Sequence, residues 1–543
     1  MLKEASETFR RSWKSLVLAD LLFKAVSVAV LGPLASLLFH LLLSLSGRSI
    51  LADTDILRFA MNPFGMVGFA VLAAAAISIS VLEQAVLMTI ALADRRGQRI
   101  RARTSVAFAL QKAPGILRIA FGIVIRLALR ALPYLLVGGV VYLALLTEHD
   151  INYYLSAKPP RFWIAVGLIV PLLLAMCLFV GSRLVRWMIA FQLHVFHGIE
   201  TDKCLEESQK RLAGQGRRLL VWLMGWLIAN ALAASILTGL SVFLARWLVP
   251  AATDSLLSLA TFLGFALMLW ALCNAIINLL GAISLALIQT EVYSRWGGNA
   301  GELLLPSTNE AESAGWDLTF GRAVAAVLSI GLGATLVGAY TLYSTKINDN
   351  VTVIAHRGAS AHAPENTLAS VSRAIKDQTD FIEVDVQETL DGVVIVAHDS
   401  DLKKVSGRTG KIWEATATEL RTVDIGSYFS NEFSAERVPT LSEVLSLCRG
   451  KVKVNIELKY YGHDQDLERR VIQIVEDQQM VDQVVLMSLE ASKVKKFKSL
   501  RPDMNVGLLT AVAVGGLDKA EADFLAVNTK LATKSFIDSA HRA

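Results

Sequence analysis

The chain has 543 residues, of which 54% are hydrophobic and only 19% charged, with a formal net charge of +5. Soluble globular domains carry about 25% charged residues, so part of this chain belongs in a bilayer. A surplus of five positive charges over this length argues for neither a nucleic-acid partner nor a strongly acidic one.

The apolar excess lies almost wholly before residue 344. A span needs about 20 mostly apolar residues. Segments of that quality are read near 17–45, 64–93, 131–147, 162–181, 219–249, 255–289 and 323–343, which predicts about seven membrane helices. The N-terminus lacks the short apolar core and small-residue cleavage site of a removable signal peptide, so the first segment is expected to remain as an anchor. Segment 255–289 is long, but two spans would need about 40 residues plus a turn, so one helix is expected. Trp163, Trp222, Trp226 and Trp247 lie near segment ends, as an interfacial belt would have them. Glu83, Asn274 and Asn278 fall inside apolar segments, where interhelical hydrogen bonding is the expected role. Arg118, Arg126 and Arg130 share one helical face and predict an amphipathic helix at the membrane interface ahead of the third span. The alternative for these arginines is a cavity lining that meets anionic head groups.

Basic residues alternate between successive connections. Lys3, Arg10, Arg11 and Lys14 precede the first span, Arg95 to Lys112 follow the second, and Arg183 to Arg218 follow the fourth. The connections near 46–63, 148–161 and 250–254 carry few. The positive-inside rule therefore predicts a cytoplasmic N-terminus, and an odd number of spans predicts that everything after Tyr343 is extracytoplasmic. Residues 1–343 are thus read as a polytopic membrane domain, 344–350 as a linker and 351–543 as a second domain close to the membrane surface. The cysteines, Cys177, Cys204, Cys273 and Cys448, leave only one in that second domain, which excludes an internal disulfide there.

After Val351, strands are predicted near 351–355, 381–386, 393–398, 452–458, 482–487, 504–509 and 523–527, with helices near 366–377, 440–447, 465–479, 491–500 and 533–541. Strand–helix alternation of this kind predicts an α/β barrel. Between Asp385 and Val393 there is no room for a crossover helix, so the chain is expected to return as an extended segment, reversing at Asp391-Gly392. About 190 residues follow Val351, against roughly 250 for a typical barrel. The barrel is therefore expected to be incomplete before its last strand or strands.

Ionisable residues collect where apolar strands end. His356-Arg357-Gly358 follows the first, Glu383-Val384-Asp385 lies on the second, His398-Asp399 follows the third, and Glu457-Leu458-Lys459 ends the fourth. Glu383 and Asp385 share one strand face by the period of two, and Glu457 on another strand can complete a carboxylate set. All-oxygen ligands suit Ca2+ or Mg2+ and give little reason for zinc. His356 and His398, from separate strands, can act as general base and general acid, since imidazole titrates near working pH. Arg357 and Lys459 can neutralise phosphate oxygens. Glu365 and Asn366 are read as caps of the following helix, and His362 and His463 as exposed loop histidines. Tyr460 and Tyr461 could lean on a substrate or on the bilayer, but an incidental role is the expected one.

The ordered set HRG, PENT (Pro364 to Thr367), E-x-D, HD and ELK resembles the glycerophosphodiester phosphodiesterase family over about the last third of the chain. The resemblance implies a TIM-type (β/α)8 barrel, here incomplete, following an α-helical transmembrane bundle. It implies hydrolysis of glycerophosphodiesters to sn-glycerol 3-phosphate and an alcohol. The glycerol hydroxyl next to the diester attacks phosphorus, giving a cyclic phosphate that water opens. Two other readings stand beside it: the same chemistry on intact lipids or lipid-linked glycerophosphate polymers, and a non-catalytic lipid-binding membrane protein. Membrane lipids are expected partners, and nucleic acid is not.

Overall fold

The computed structural model describes residues 2–45, 50–52, 62–248, 256–298, 303–306, 319–323, 351–515 and 520–542, with isolated positions between them. The chain forms two compact units. One comprises Met1–Phe39, Val67–Pro133 and Leu174–Ile347, the other His40–Met66, Tyr134–Leu173 and Asn348–Ala543.

Helices dominate up to residue 296. Helix α1 (Leu2–Val26) continues through a π-helical turn, Ser27–Leu31, into α2 (Gly32–Leu45). There follow α3 (Pro63–Arg95), α4 (Ala102–Gln111), α5 (Ala113–Leu145), α6 (Ile151–Ala157), α7 (Pro160–Arg186), α8 (Ala190–His197), α9 (Cys204–Arg211), α10 (Gly216–Leu248) and α11 (Leu256–Trp296). Among the described residues, 6 helical runs are long and apolar enough to cross a membrane. They correspond to the first six predicted segments, and the described part of the sixth lies in one helix, Leu256–Trp296. The seventh, 323–343, lies for the most part outside the described residues, as does all of 344–350.

In the first unit, Leu16, Ala19 and Phe23 of α1 pack with Leu82, Val86 and Leu87 of α3 and with Ile283, Ala286 and Leu287 of α11. Spacings of three and four put Leu16, Ala19 and Phe23 on one face of α1 and Ile283, Ala286 and Leu287 on one face of α11. Glu83 meets Lys24 across helices at 3.4 Å, but Asn274 bonds to the Trp270 carbonyl of its own helix, and Asn278 is exposed. The interhelical role expected for both asparagines is therefore absent from the described contacts. Helix α5 is unbroken from Ala113, so Arg118, Arg126 and Arg130 stand on early turns of the spanning helix itself, not on a separate interfacial one. The Arg130 guanidinium lies 5.2 Å from the Trp187 ring centroid, a cation–π contact.

The second unit is organised around a mostly parallel sheet. Its strands are β1 (Ile50–Ala52), β2 (Ile354–Ala355), β3 (Phe381–Glu388), β4 (Val394–Val396), β5 (Lys453–Leu458), β6 (Val484–Ser488), β7 (Val506–Thr510), β8 (Ala513–Gly515) and β9 (Phe524–Val527). The main sheet has the order β2-β3-β5-β6-β7-β9, with β4 antiparallel to β3; β1 pairs separately with β8. It is a curled half-barrel, as an incomplete TIM-type barrel should be, and its edges among the described residues are β2 and β9. The predicted reversal after β3 is a tight turn in which Gly392 has φ +73°, a conformation that favours glycine.

Helices α12 (Leu368–Lys376), α13 (Leu441–Cys448), α14 (Leu467–Asp477), α15 (Ala491–Leu500) and α16 (Lys534–Ala540) follow strands as predicted. Thr440 caps α13 reciprocally with Glu443, satisfying two orphan backbone donors. Val371, Leu441, Leu445, Val471, Val475 and Phe497 of these helices pack on Ile382, Val384, Val386, Ile456 and Leu486 of the sheet. Each such buried aliphatic contributes about 1.5–3 kcal/mol, and truncating Leu445 to Ala would cost about 2–5 kcal/mol. Because Ile382, Val384 and Val386 face the helices, the intervening Glu383, Asp385 and Gln387 must face the other side of the sheet.

Candidate active site

Strands β3 and β5 are adjacent, parallel and in a register that pairs Asp385 with Glu457 and Glu383 with Asn455. One oxygen from each of Glu383, Asp385 and Glu457 lies within 4.8 Å of the others, and all three side chains are buried. Hydrophobic β-strand packing places them there regardless of charge. Burial, and then the neighbouring Asp385 carboxylate, pushes the Glu383 carboxyl well above the usual range. Burial raises Glu457 as well, against the pull of the Lys459 ammonium. Asp385 would also be raised by burial, but Lys459, His398, the Asn366 amide and Arg357 hold it below its ordinary value.

Glu383 Oε2 accepts from the Arg357 backbone N–H at 2.7 Å, whereas its Oε1, though buried, has no hydrogen-bond partner. An orphaned acceptor among three converging carboxylates fits a hard divalent cation, and the absence of sulfur or imidazole in the set fits Ca2+ or Mg2+.

The two cations expected to meet phosphate are drawn to the same carboxylates. Lys459 Nζ lies 2.5 Å from Glu457 Oε1 and 3.1 Å from Asp385 Oδ1. The Arg357 guanidinium pairs with Glu365 at 3.1 Å and approaches Asp385 Oδ2 at 3.6 Å. Glu365 also pairs with Lys404 at 2.8 Å, so it is a partner of Arg357 and not a helix cap. The cap of α12 is Thr367. Asn366 instead donates to Asp385 Oδ2 at 2.9 Å, and its side-chain oxygen accepts from the Asp385 backbone N–H at 3.3 Å. Arg357 and Asn366 both have positive φ (54° and 57°), and Gly358 between β2 and α12 has φ +73° with Ser370 filling the space of a Cβ. This strained turn brings HRG and PENT against β3.

His356 is exposed, its Nε2 3.9 Å from Glu383 Oε2. Loss of solvation on its inner face, and then the Arg357 cation, lower its pKa, which favours the neutral form a base requires. His398 is largely buried and its Nδ1 lies 2.6 Å from Asp399 Oδ1. Burial would raise Asp399, but the hydrogen bond and charge of His398 and the Asn152 amide hold it low. His356 and His398 thus present different characters, one exposed and one anchored.

Three contributors escaped the sequence reading. Asp399 directly follows His398, and Asn366 stands in the PENT run, one of few non-glycine types that adopt left-handed backbone readily. Those signals were legible. Tyr461 donates its hydroxyl to the His398 carbonyl at 2.8 Å and, with His463, packs around Trp413 at centroid distances of 5.9 and 4.3 Å. Nothing in the local sequence marks that wall.

The sequence of residues 356–542 matches the glycerophosphoryl diester phosphodiesterase family, and residues 2–296, over half of the chain, match the membrane domain of glycerophosphoryl diester phosphodiesterase. The chain belongs to the glycerophosphodiester phosphodiesterase family. It is an enzyme of the phosphoric diester hydrolase class and, with its apolar helices and membrane-domain match, a multi-pass membrane protein. Among its relatives, the glycerophosphodiester phosphodiesterase of Bacillus subtilis (strain 168) is 30% identical over 212 residues, covering 36% of this chain and 72% of the relative. That of Caldanaerobacter subterraneus is 36% identical over 163 residues, covering 29% of this chain and 65% of the relative. The crystal structure of glycerophosphodiester phosphodiesterase from Agrobacterium tumefaciens is 28% identical, covers 35% of this chain and 83% of its own, and has a TM-score of 0.31. An Oleispira antarctica phosphodiesterase structure in complex with the product sn-glycerol-3-phosphate is 25% identical, with coverages of 35% and 81% and a TM-score of 0.34.

Proposed function

We propose that this family member hydrolyses glycerophosphodiesters outside the cytoplasmic membrane, releasing sn-glycerol 3-phosphate and an alcohol. The reading is carried by one observation: Glu383, Asp385 and Glu457 converge from adjacent strands beside Arg357 and Lys459, with Glu383 Oε1 buried and without a hydrogen-bond partner. Those three carboxylates would hold a divalent cation, Ca2+ or Mg2+, which supplies charge neutralisation to the phosphate oxygens. Arg357 and Lys459 add positive charge at the same rim. His356, exposed and biased to its neutral form, takes the proton of the attacking glycerol hydroxyl. His398, oriented by Asp399, gives its proton to the departing alkoxide, and the roles reverse when water opens the cyclic phosphate.

The proposed sidedness has support in the chain's division into units. Segments 40–66 and 134–173 contain two of the connections poor in Lys and Arg, and both belong to the same unit as 348–543. The N-terminus is then cytoplasmic. Because the ends of membrane helices belong to that unit, substrates presented at the bilayer surface, including intact lipids or lipid-linked glycerophosphate polymers, form a second reading.

The test is a panel of glycerophosphodiesters with varied alcohols, alongside lysolipid and diacyl lipid, assayed on purified full-length protein with and without chelator. Release of sn-glycerol 3-phosphate from the soluble diesters, lost on chelation and restored by Ca2+ or Mg2+, is expected. Turnover of lipid alone would favour the second reading, and no turnover of either would overturn both.

A further inference from the structure

Residues 146–159 connect the membrane helices α5 and α7, and by sequence they are an ordinary short loop. Within the second unit they form a built hairpin. Leu146 and Tyr154 are buried against Ala165 of α7, Asp150 caps α6 by accepting from the Asn152 backbone N–H at 3.0 Å, and Lys158, at φ +46°, ends that helix.

The polar side chains of this hairpin go to the surroundings of His398. Asn152 Nδ2 has two protons and uses both, one to Asp150 Oδ1 at 2.9 Å and one to Asp399 Oδ1 at 3.0 Å. The same Asp399 oxygen lies 2.6 Å from His398 Nδ1. The Tyr461 hydroxyl, which donates to the His398 carbonyl at 2.8 Å, is 3.4 Å from Asp150 Oδ2. Beside them, His149 Nδ1 lies 3.1 Å from Asp401 Oδ2, which also pairs with Lys411 at 3.1 Å. The ring of His398 is thus held through Asp399, its backbone is held through Tyr461, and both holders reach the hairpin.

We propose that this membrane-helix connection is part of the active site, with Asn152 a positioning residue that fixes Asp399 and, through it, the His398 imidazole. An imidazole must be oriented at Nδ1 for its Nε2 to meet the reacting oxygen, and a carboxylate free to rotate orients it poorly. Losing the Asn152 donor therefore lowers turnover and leaves substrate binding alone. The inference rests on the proposed role of His398 as an acid–base group.

The experiment is a double-mutant cycle on the full-length enzyme, with Asn152→Ala, Asp399→Ala, the pair, and His398→Ala as reference, reading kcat and KM separately. Asn152→Ala should lower kcat by about tenfold with KM within about twofold. In the Asp399→Ala background the same change should cost less than about twofold, because the link it acts through is gone. Should Asn152→Ala fold poorly, the similarly sized Asn152→Leu gives the same comparison, since it removes the donor to Asp399 without adding a charge beside it. An unchanged kcat at position 152, or an equal loss in both backgrounds, overturns the positioning role when His398→Ala is itself impaired. Wild-type turnover in His398→Ala would instead overturn the acid–base reading and this inference with it.

Discussion

Asn366 grips Asp385 at two points, donating to its carboxylate at 2.9 Å and accepting from its backbone N–H at 3.3 Å. The pair joins the PENT turn to the centre of β3 and directs Asp385 toward Glu457 and Lys459. Asn366→Ala should therefore reduce activity by about 10–100-fold and weaken divalent-cation binding, the range for losing a group that orients a metal-ligating side chain. Asn366→Gly, which tolerates the positive φ, separates strain from the lost amide. Full activity in the glycine variant would sink the role assigned to the amide.

Glu383 carries a pH prediction. Its carboxyl is pushed to about 8 in the folded protein, by burial and then by Asp385, against about 4.3 in an unfolded chain. A raised carboxyl stabilises the fold below the unfolded value, and that contribution is lost as pH rises through the folded one. The melting temperature of the chelated protein should accordingly fall between about pH 5 and 9, while calcium affinity rises over the same window as the proton leaves. Thermal melts and calorimetry across that window check both. Glu383→Gln should flatten the stability profile, and a chelated wild type with no pH dependence would contradict the assignment.

Removing the cation should abolish hydrolysis. Asp385→Asn is expected to eliminate measurable cation binding yet leave a cooperative thermal transition, because the amide is isosteric and relieves repulsion with Glu383 and Glu457. Full turnover in excess chelator would rule out the metal reading.

His356→Ala and His398→Ala should each lower kcat by roughly 10²–10⁴-fold, the range for a positioned proton-transfer group. As both serve one reaction coordinate, the double variant should lose far less than the product of the two factors. Near wild-type turnover in either folded single variant would refute the pairing.

A reporter that is active only in the cytoplasm should be silent when fused after Asn350 and when inserted at Lys158. Activity at either junction would reverse the proposed topology and call for a recount of spans.

Much of the architecture was legible locally. Apolar runs long enough to cross a bilayer mark themselves without reference to the rest of the chain, and the alternation of strands and helices after Val351 follows from periods of 2 and 3.6. The same period of two put Glu383 and Asp385 on one face, and the absence of room after Asp385 foretold the antiparallel return to β4. What neighbours in sequence could not announce are contacts whose partners lie far apart. The pairing of β1 with β8 joins residues 50–52 to 513–515, and Asn152 meets Asp399 across 247 positions. The place of Lys459 between Asp385 and Glu457, one carboxylate on its own strand and one on the next, is likewise set by the pairing of β3 with β5. Propensity and hydrophobic period act over a few residues and so are written in the chain itself, whereas hydrogen bonds between distant side chains exist only once packing has brought their backbones together.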